Sequence, residues 1–104
     1  MTRKILIHEA AVDEAVEAAA WYEAKREGLG KEFQRAIDIA LDLLEEAIVP
    51  LRPSPSSTDV HTKRLRLRRF PFDVVITERS TETIVIAFAH HARRPGYWRQ
   101  RLPR

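Results

Sequence analysis

"KRLRLRRFPFDVVITERSTETIVIAFAHH", residues 63–91, decides how this chain folds. It opens with strict alternation, Leu65 and Leu67 on one side and Arg64, Arg66 and Arg68 on the other, which is the two-residue period of a strand. Phe70-Pro71 interrupts the alternation, because proline cannot donate to a ladder, so the chain turns or bulges there. "FDVVIT" resumes the strand pattern, "RSTE" reads as a turn, and "TIVIAFAHH" is a last strand. That last strand is apolar on both faces, Ile84, Ile86 and Phe88 against Val85, Ala87 and Ala89, as expected of a central strand covered on at least one side. Short connections between the three strands predict an antiparallel meander.

Upstream, "RKILIH" at residues 3–8 reads as a first strand. From Glu9 the chain becomes rich in Ala and Glu, and Val12, Val16, Ala19 and Trp21/Tyr22 predict the apolar stripe of a helix ending near Arg26. "EGLG" closes that helix, with Gly28 and Gly30 available for positive φ angles. Phe33, Ile37, Ala40, Leu41, Leu44 and Ile48 then mark a second helix that Pro50 ends. "PLRPSPSSTD", with three prolines and three serines, reads as an irregular exposed loop. The predicted fold is α+β, in the order β-α-α-β-β-β, with an antiparallel sheet packed against an N-terminal helical hairpin. At 104 residues the chain predicts a single domain, 1–104, with no internal repeat.

Composition narrows the chemistry. The absence of cysteine removes disulfides, thiolate catalysis and the usual structural zinc sites, and it suits a reducing cytoplasm. No apolar run approaches the roughly 20 residues that span a bilayer, and the three-residue apolar run near the N-terminus is too short for a signal peptide core. The expected setting is cytoplasmic, away from membranes. The net charge of +3 hides a polarity. Residues 1–60 carry seven Lys/Arg against twelve Asp/Glu, and residues 61–104 carry eleven against three. Such a basic half suits an anionic partner, or it balances acidic helices within one fold.

The tail "AFAHHARRPGYWRQRL", residues 87–102, concentrates His90, His91, Arg93, Arg94, Tyr97, Trp98, Arg99 and Arg101. Adjacent histidines on a strand point to opposite faces and no carboxylate lies near them in sequence, so neither metal nor cofactor is expected. RNA cleavage would need a base, cations for the phosphorane charge and a proton donor. His90 or His91 could be the base, Arg66, Arg68, Arg93 or Arg94 could hold phosphate, and Tyr97 could stack or donate a proton. Alternatively Arg64, Arg66, Arg68, Arg93, Arg94, Tyr97 and Trp98 have the composition of a protein-docking surface. Burial against the helices is the other reading of Trp98. As an appendage, the segment from Arg93 onward is expected to be removable without loss of the fold.

"HEAAVDEAVEAAAWYE", "GLGKEFQRAID", "KRLRLRRFPFDVVI" and "IVIAFAHHARRPGYW", in that order over nearly the whole chain, resemble the RelE/ParE superfamily of toxins from type II toxin–antitoxin pairs, also called plasmid stabilisation proteins. The tail "HHARRPGYW" is similar to the ParE-like branch. The resemblance implies a toxin neutralised by a cognate antitoxin that wraps around it, here over the Arg64/Arg66/Arg68 face and the tail. It implies one of two targets. RelE-like members cut messenger RNA in the ribosomal A site, with His90, His91, Arg93 and Tyr97 as the candidate catalytic set here, whereas ParE-like members bind and poison DNA gyrase without being enzymes. RelE-like nucleases commonly carry arginine after the aromatic residue that opens the central strand, but here the order is Phe72-Asp73-Val74. That departure points to non-enzymatic inhibition of gyrase. The mRNA endonuclease stays as the alternative, and so does an inactive homologue that only binds its antitoxin.

Overall fold

The computed structural model describes residues 3–47, 52–53 and 61–103. Strand β1 (Lys4–Ile7) leads into helix α1 (Glu9–Lys25) and helix α2 (Leu29–Glu46), then strands β2 (Arg52–Pro53), β3 (Thr62–Arg66), β4 (Phe72–Glu78) and β5 (Glu82–His90), and a 3-10 turn at Arg99–Arg101. The five strands lie in the order β1-β5-β4-β3-β2. β3, β4 and β5 form the antiparallel meander read from the alternation. β1 joins the far side of β5 in parallel, Lys4 opposite Glu82 through Ile7 opposite Val85, so the sheet is mixed. Within the proline-rich loop, Arg52 and Pro53 pair with Arg64 and Lys63 to make the short strand β2. The rest of that loop, with Ile48 and Pro50, lies outside the described residues.

His8 starts α1 by accepting the Ala10 N–H on Nδ1 at 3.0 Å. The buried face of α1 differs from the stripe expected above. Val12, Val16 and Trp21 are 44%, 63% and 57% exposed, while Ala11, Ala15, Ala18, Ala19 and Tyr22 face the core. Small alanines let α1 approach α2 and the sheet closely, so the packing selects them over the larger, more apolar residues. The two glycines of the hairpin have separate tasks. Gly28 takes the left-handed turn, φ 87°. Gly30 is helical and lies where the two helices approach closely, so that a Cβ would stand 2.7 Å from the Ala19 carbonyl oxygen. Glu23 accepts the N–H groups of Gly28 and Gly30, at 2.9 and 3.0 Å, and so caps α2 from the end of α1.

Helix α2 buries Phe33, Ile37, Ala40 and Leu44 as its spacing predicts. They meet Leu67, Phe70, Phe72, Val74, Ile76, Val85 and Phe88 from the sheet, and Tyr22, Phe33, Phe70 and Phe72 form an aromatic cluster with centroids 5.0 to 6.4 Å apart. Complete burial of a side chain such as Phe33 stabilises the fold by about 1.5–3 kcal/mol. The opposite face of the sheet carries a second cluster, Val75, Ile86, Ala87 and Trp98. A β-bulge creates it. Val75 is opposite Ala87 but Ile76 is opposite Val85, so Ile86 is the extra residue and joins Ala87 on the same side. Trp98, 3% exposed, packs on this sheet face and not on the helices. The tail is therefore part of the fold, and the expectation that it could be removed harmlessly is overturned: deletion would uncover a second core.

Candidate functional site

Three side-chain groupings on this scaffold bear on function. The first is a groove between the outer side of α2 and the end of β3 with the loop that follows it, enclosing about 640 Å³. Among the described residues, β2 pairs with β3 at Lys63 and Arg64, and Leu65 to Phe70 line the groove beside α2. Ala36, Ile39, Ala40, Leu43, Leu65 and Leu67 line it with apolar surface, and Ile39 is 48% exposed. Lys31, Arg35, Arg66, Arg68 and Arg69 surround that floor. Glu32, the one acid among the described lining residues, is engaged by Arg26 and by Arg69 at 3.1 Å. Hydrogen bonds from those two guanidinium groups hold its carboxyl below the usual range. Arg66 and Arg68 are exposed and make no ion pair among the described residues. The groove thus offers an apolar floor and a basic rim.

The second grouping lies on the sheet face away from the helices. His91 Nε2 stands 3.1 Å from Asp73 Oδ1, and Arg64 NH1 stands 3.6 Å from Asp73 Oδ2. Asp73 therefore has the His91 imidazole at one carboxylate oxygen and the Arg64 guanidinium near the other. His90 points the other way, edge-on to Phe72 at 5.0 Å, with Nδ1 accepting the Ala92 N–H. The adjacent histidines do diverge, as strand geometry requires. Among the described residues no cluster of three or more metal-binding side chains occurs.

The third grouping secures the tail. β1 ends opposite Val85, so the outer edge of β5 is open beyond that point. Side chains satisfy it. Glu14 from α1 accepts the Phe88 N–H at 3.1 Å, and Arg101 donates to the Ile86 carbonyl at 3.1 Å. Tyr97 donates its hydroxyl hydrogen to Glu14, and Arg101 pairs with the same carboxylate at 2.9 Å. Burial, followed by this hydrogen bond to Glu14, pushes the Tyr97 hydroxyl well above the ordinary tyrosine range. Arg93 lies over the Tyr97 ring at 3.9 Å.

The structure brings His91 together with Arg64 and Asp73, and Arg66 and Arg68 together at the groove. It stacks Arg93 on Tyr97 but does not unite His91 with that pair. His91 reaches from β5 toward β4, whereas Tyr97 reaches the outer edge of β5 and is committed to Glu14. Trp98 is interior, and Arg93 and Arg94 are exposed. Reading the sequence missed Lys31, Arg35, Ile39 and Leu43 in the groove, and Glu14 beneath the tail. Ile39 and Leu43, four apart and off the core stripe of α2, are the signal that a second apolar line existed.

No helix among the described residues is long and apolar enough to cross a membrane. No protein-family model matches the chain, and no curated protein matches it in sequence. A solved structure described as the chromosomal ParDE TA system from P. aeruginosa is similar to it, with a TM-score of 0.65 at 15% identity, covering 86% of this chain and 96% of that one. At that identity the likeness carries the fold: an N-terminal strand, a helical hairpin and a three-stranded meander in the ParE-like arrangement.

Proposed function

We propose that this chain, having the fold of a ParDE system component, is the toxin of a type II toxin–antitoxin pair, and that it acts in the cytoplasm by binding DNA gyrase. The observation that carries the antitoxin half of this reading is the groove, apolar inside and basic at its rim. An antitoxin segment that alternates apolar and acidic residues fits it, with the acids meeting Arg66 and Arg68 and the apolar side chains covering Ile39, Leu43 and Leu65. The tail, with Arg93 and Arg94 exposed on a fixed turn, supplies a separate surface for the target. Inhibition by binding is favoured because Tyr97 is tied to Glu14 and unavailable as a proton donor.

A second reading, ribosome-dependent cleavage of messenger RNA, draws on one observation, the Asp73–His91 pair beside Arg64. An aspartate on Nε2 leaves Nδ1 of His91 as a general base, and Arg64 stands near for phosphate.

The deciding experiment is induction of the chain with and without its antitoxin, followed by parallel assays of plasmid supercoiling and ribosome-associated mRNA. Lost supercoiling with intact mRNA supports gyrase inhibition. Codon-phased mRNA cuts overturn it in favour of the second reading. Absence of any growth effect overturns both and leaves an inactive homologue that only binds antitoxin.

A further inference from the structure

The shape of the tail depends on one carboxylate from the helical layer. Glu14 Oε1 accepts the Phe88 N–H at 3.1 Å and an Arg101 N–H at 2.9 Å. Glu14 Oε2 accepts the Tyr97 hydroxyl and the second Arg101 nitrogen at 3.2 Å. The side chains of Glu14 and Arg101 are only 13% and 15% exposed, so these charge-assisted bonds are largely shielded from water. α1, the bulged edge of β5 and two tail residues thus converge on a single group.

What Glu14 fixes is passed outward. The guanidinium groups of Arg93 and Arg101 stand 3.9 and 5.3 Å from the centre of the Tyr97 ring. The Tyr97 N–H donates to the Arg94 carbonyl at 3.2 Å, closing the turn that carries Arg94 and Gly96. That turn is tight, since Gly96 has φ 77° and a Cβ there would stand 2.7 Å from the Arg99 guanidinium. The exposed cations of the tail therefore stand where Tyr97 puts them, and Tyr97 stands where Glu14 holds it.

We propose that Glu14 is a positioning residue for the target-binding surface of the tail: through Tyr97 and Arg101 it presents Arg93 and Arg94 in the arrangement the target meets, without touching the target itself. This rests on the toxin reading above. It assigns a role to a helix residue that no motif in the tail would indicate, and it separates target binding from antitoxin binding, which uses the groove formed by α2 and β3.

The test uses the full chain with Glu14→Gln, which keeps the size and one acceptor, and Tyr97→Phe, which removes only a hydroxyl. Three quantities are measured: amide hydrogen exchange across residues 93–102, affinity for the co-expressed antitoxin, and inhibition of purified gyrase on relaxed plasmid. Loss of charge-assisted bonds at a shielded site predicts exchange and inhibitory concentration each rising about tenfold in Glu14→Gln, and less in Tyr97→Phe. Antitoxin affinity stays within about twofold, since distant sites are nearly additive. Inhibition equal to wild type despite a loosened tail would overturn the inference and leave Glu14 a purely structural residue. So would unchanged exchange in both variants, or a parallel loss of antitoxin affinity. If wild type itself leaves gyrase untouched, the gyrase reading fails first and the inference with it. Should Glu14→Gln not fold, Tyr97→Phe carries the same three comparisons.

Discussion

Trp98, from the turn that ends the tail, and Ile86, the extra residue of the β5 bulge, share one buried cluster and are 3% and 0% exposed. The bulge turns Ile86 and Ala87 to one side, and the tail returns to cover them. The residues most suggestive of a free basic appendage are attached to a second core.

Replacing Trp98 with Ala is expected to cost about 3–5 kcal/mol, the usual range for removing a large buried aromatic side chain. Truncation at residue 93 should cost more, because it also strips Glu14 and the β5 edge of their partners. Urea unfolding of both variants checks this, and a truncated chain as stable as the full one would contradict it.

Gly30 and Gly28 should respond to alanine for different reasons. At Gly30 the new Cβ meets the Ala19 carbonyl at 2.7 Å and forces α1 and α2 apart, which costs about 1–3 kcal/mol. At Gly28 nothing lies within 4 Å, and the cost of about 1–2 kcal/mol comes from the left-handed φ alone. Asparagine, tolerant of that conformation, should recover part of the loss at 28 and none at 30, as thermal unfolding would reveal.

Charge reversal at Arg66 or Arg68, or Ile39→Glu in the groove floor, is expected to weaken the antitoxin complex by about tenfold or more through lost complementarity. All three side chains are exposed, so folding stability should hardly change. Isothermal calorimetry at two salt concentrations tests both statements, with the arginine effects shrinking in high salt. An affinity indifferent to all three changes would remove the groove from consideration.

Stability should fall on acidification. Hydrogen bonds from the Gly28 and Gly30 N–H groups hold the Glu23 carboxyl below its ordinary value of 4.5, and the Arg26 and Arg69 bonds do the same for Glu32. A carboxyl lowered in the folded state contributes stability that is present above its unfolded value and is lost as pH falls through its folded one. The melting temperature should therefore drop below about pH 4.5, and Glu23→Gln should flatten the slope there.

His91→Ala distinguishes the two target readings. Gyrase inhibition should survive it within a fewfold, whereas cleavage with His91 as base would slow by about 10²–10⁴-fold. Mass spectrometry of RNA ends beside a supercoiling gel decides the case.

Much of the architecture was legible in local pattern. The alternation of Leu65 and Leu67 with arginines, the turn at Phe70-Pro71 and the two-sided apolar strand each reflect a period set by backbone geometry, and α2 shows its buried face in the spacing of Phe33, Ile37, Ala40 and Leu44. The basic character of the second half and the divergence of His90 and His91 follow from composition and strand geometry in the same way. Other features depend on which elements meet. The buried face of α1 is chosen by how closely alanines let it approach its neighbours, so its larger apolar residues misled. The parallel docking of β1 on β5 and the pairing of Glu14 with Tyr97 join residues some 80 positions apart. The groove forms where α2 passes beside the end of β3 and the loop that follows it, which joins residues more than twenty positions apart. Sequence determined the periods and the charges, because those are local properties of the chain. Tertiary structure decided which residues became surface, core or site, because close packing and the pairing of buried polar groups are satisfied only by the assembled whole.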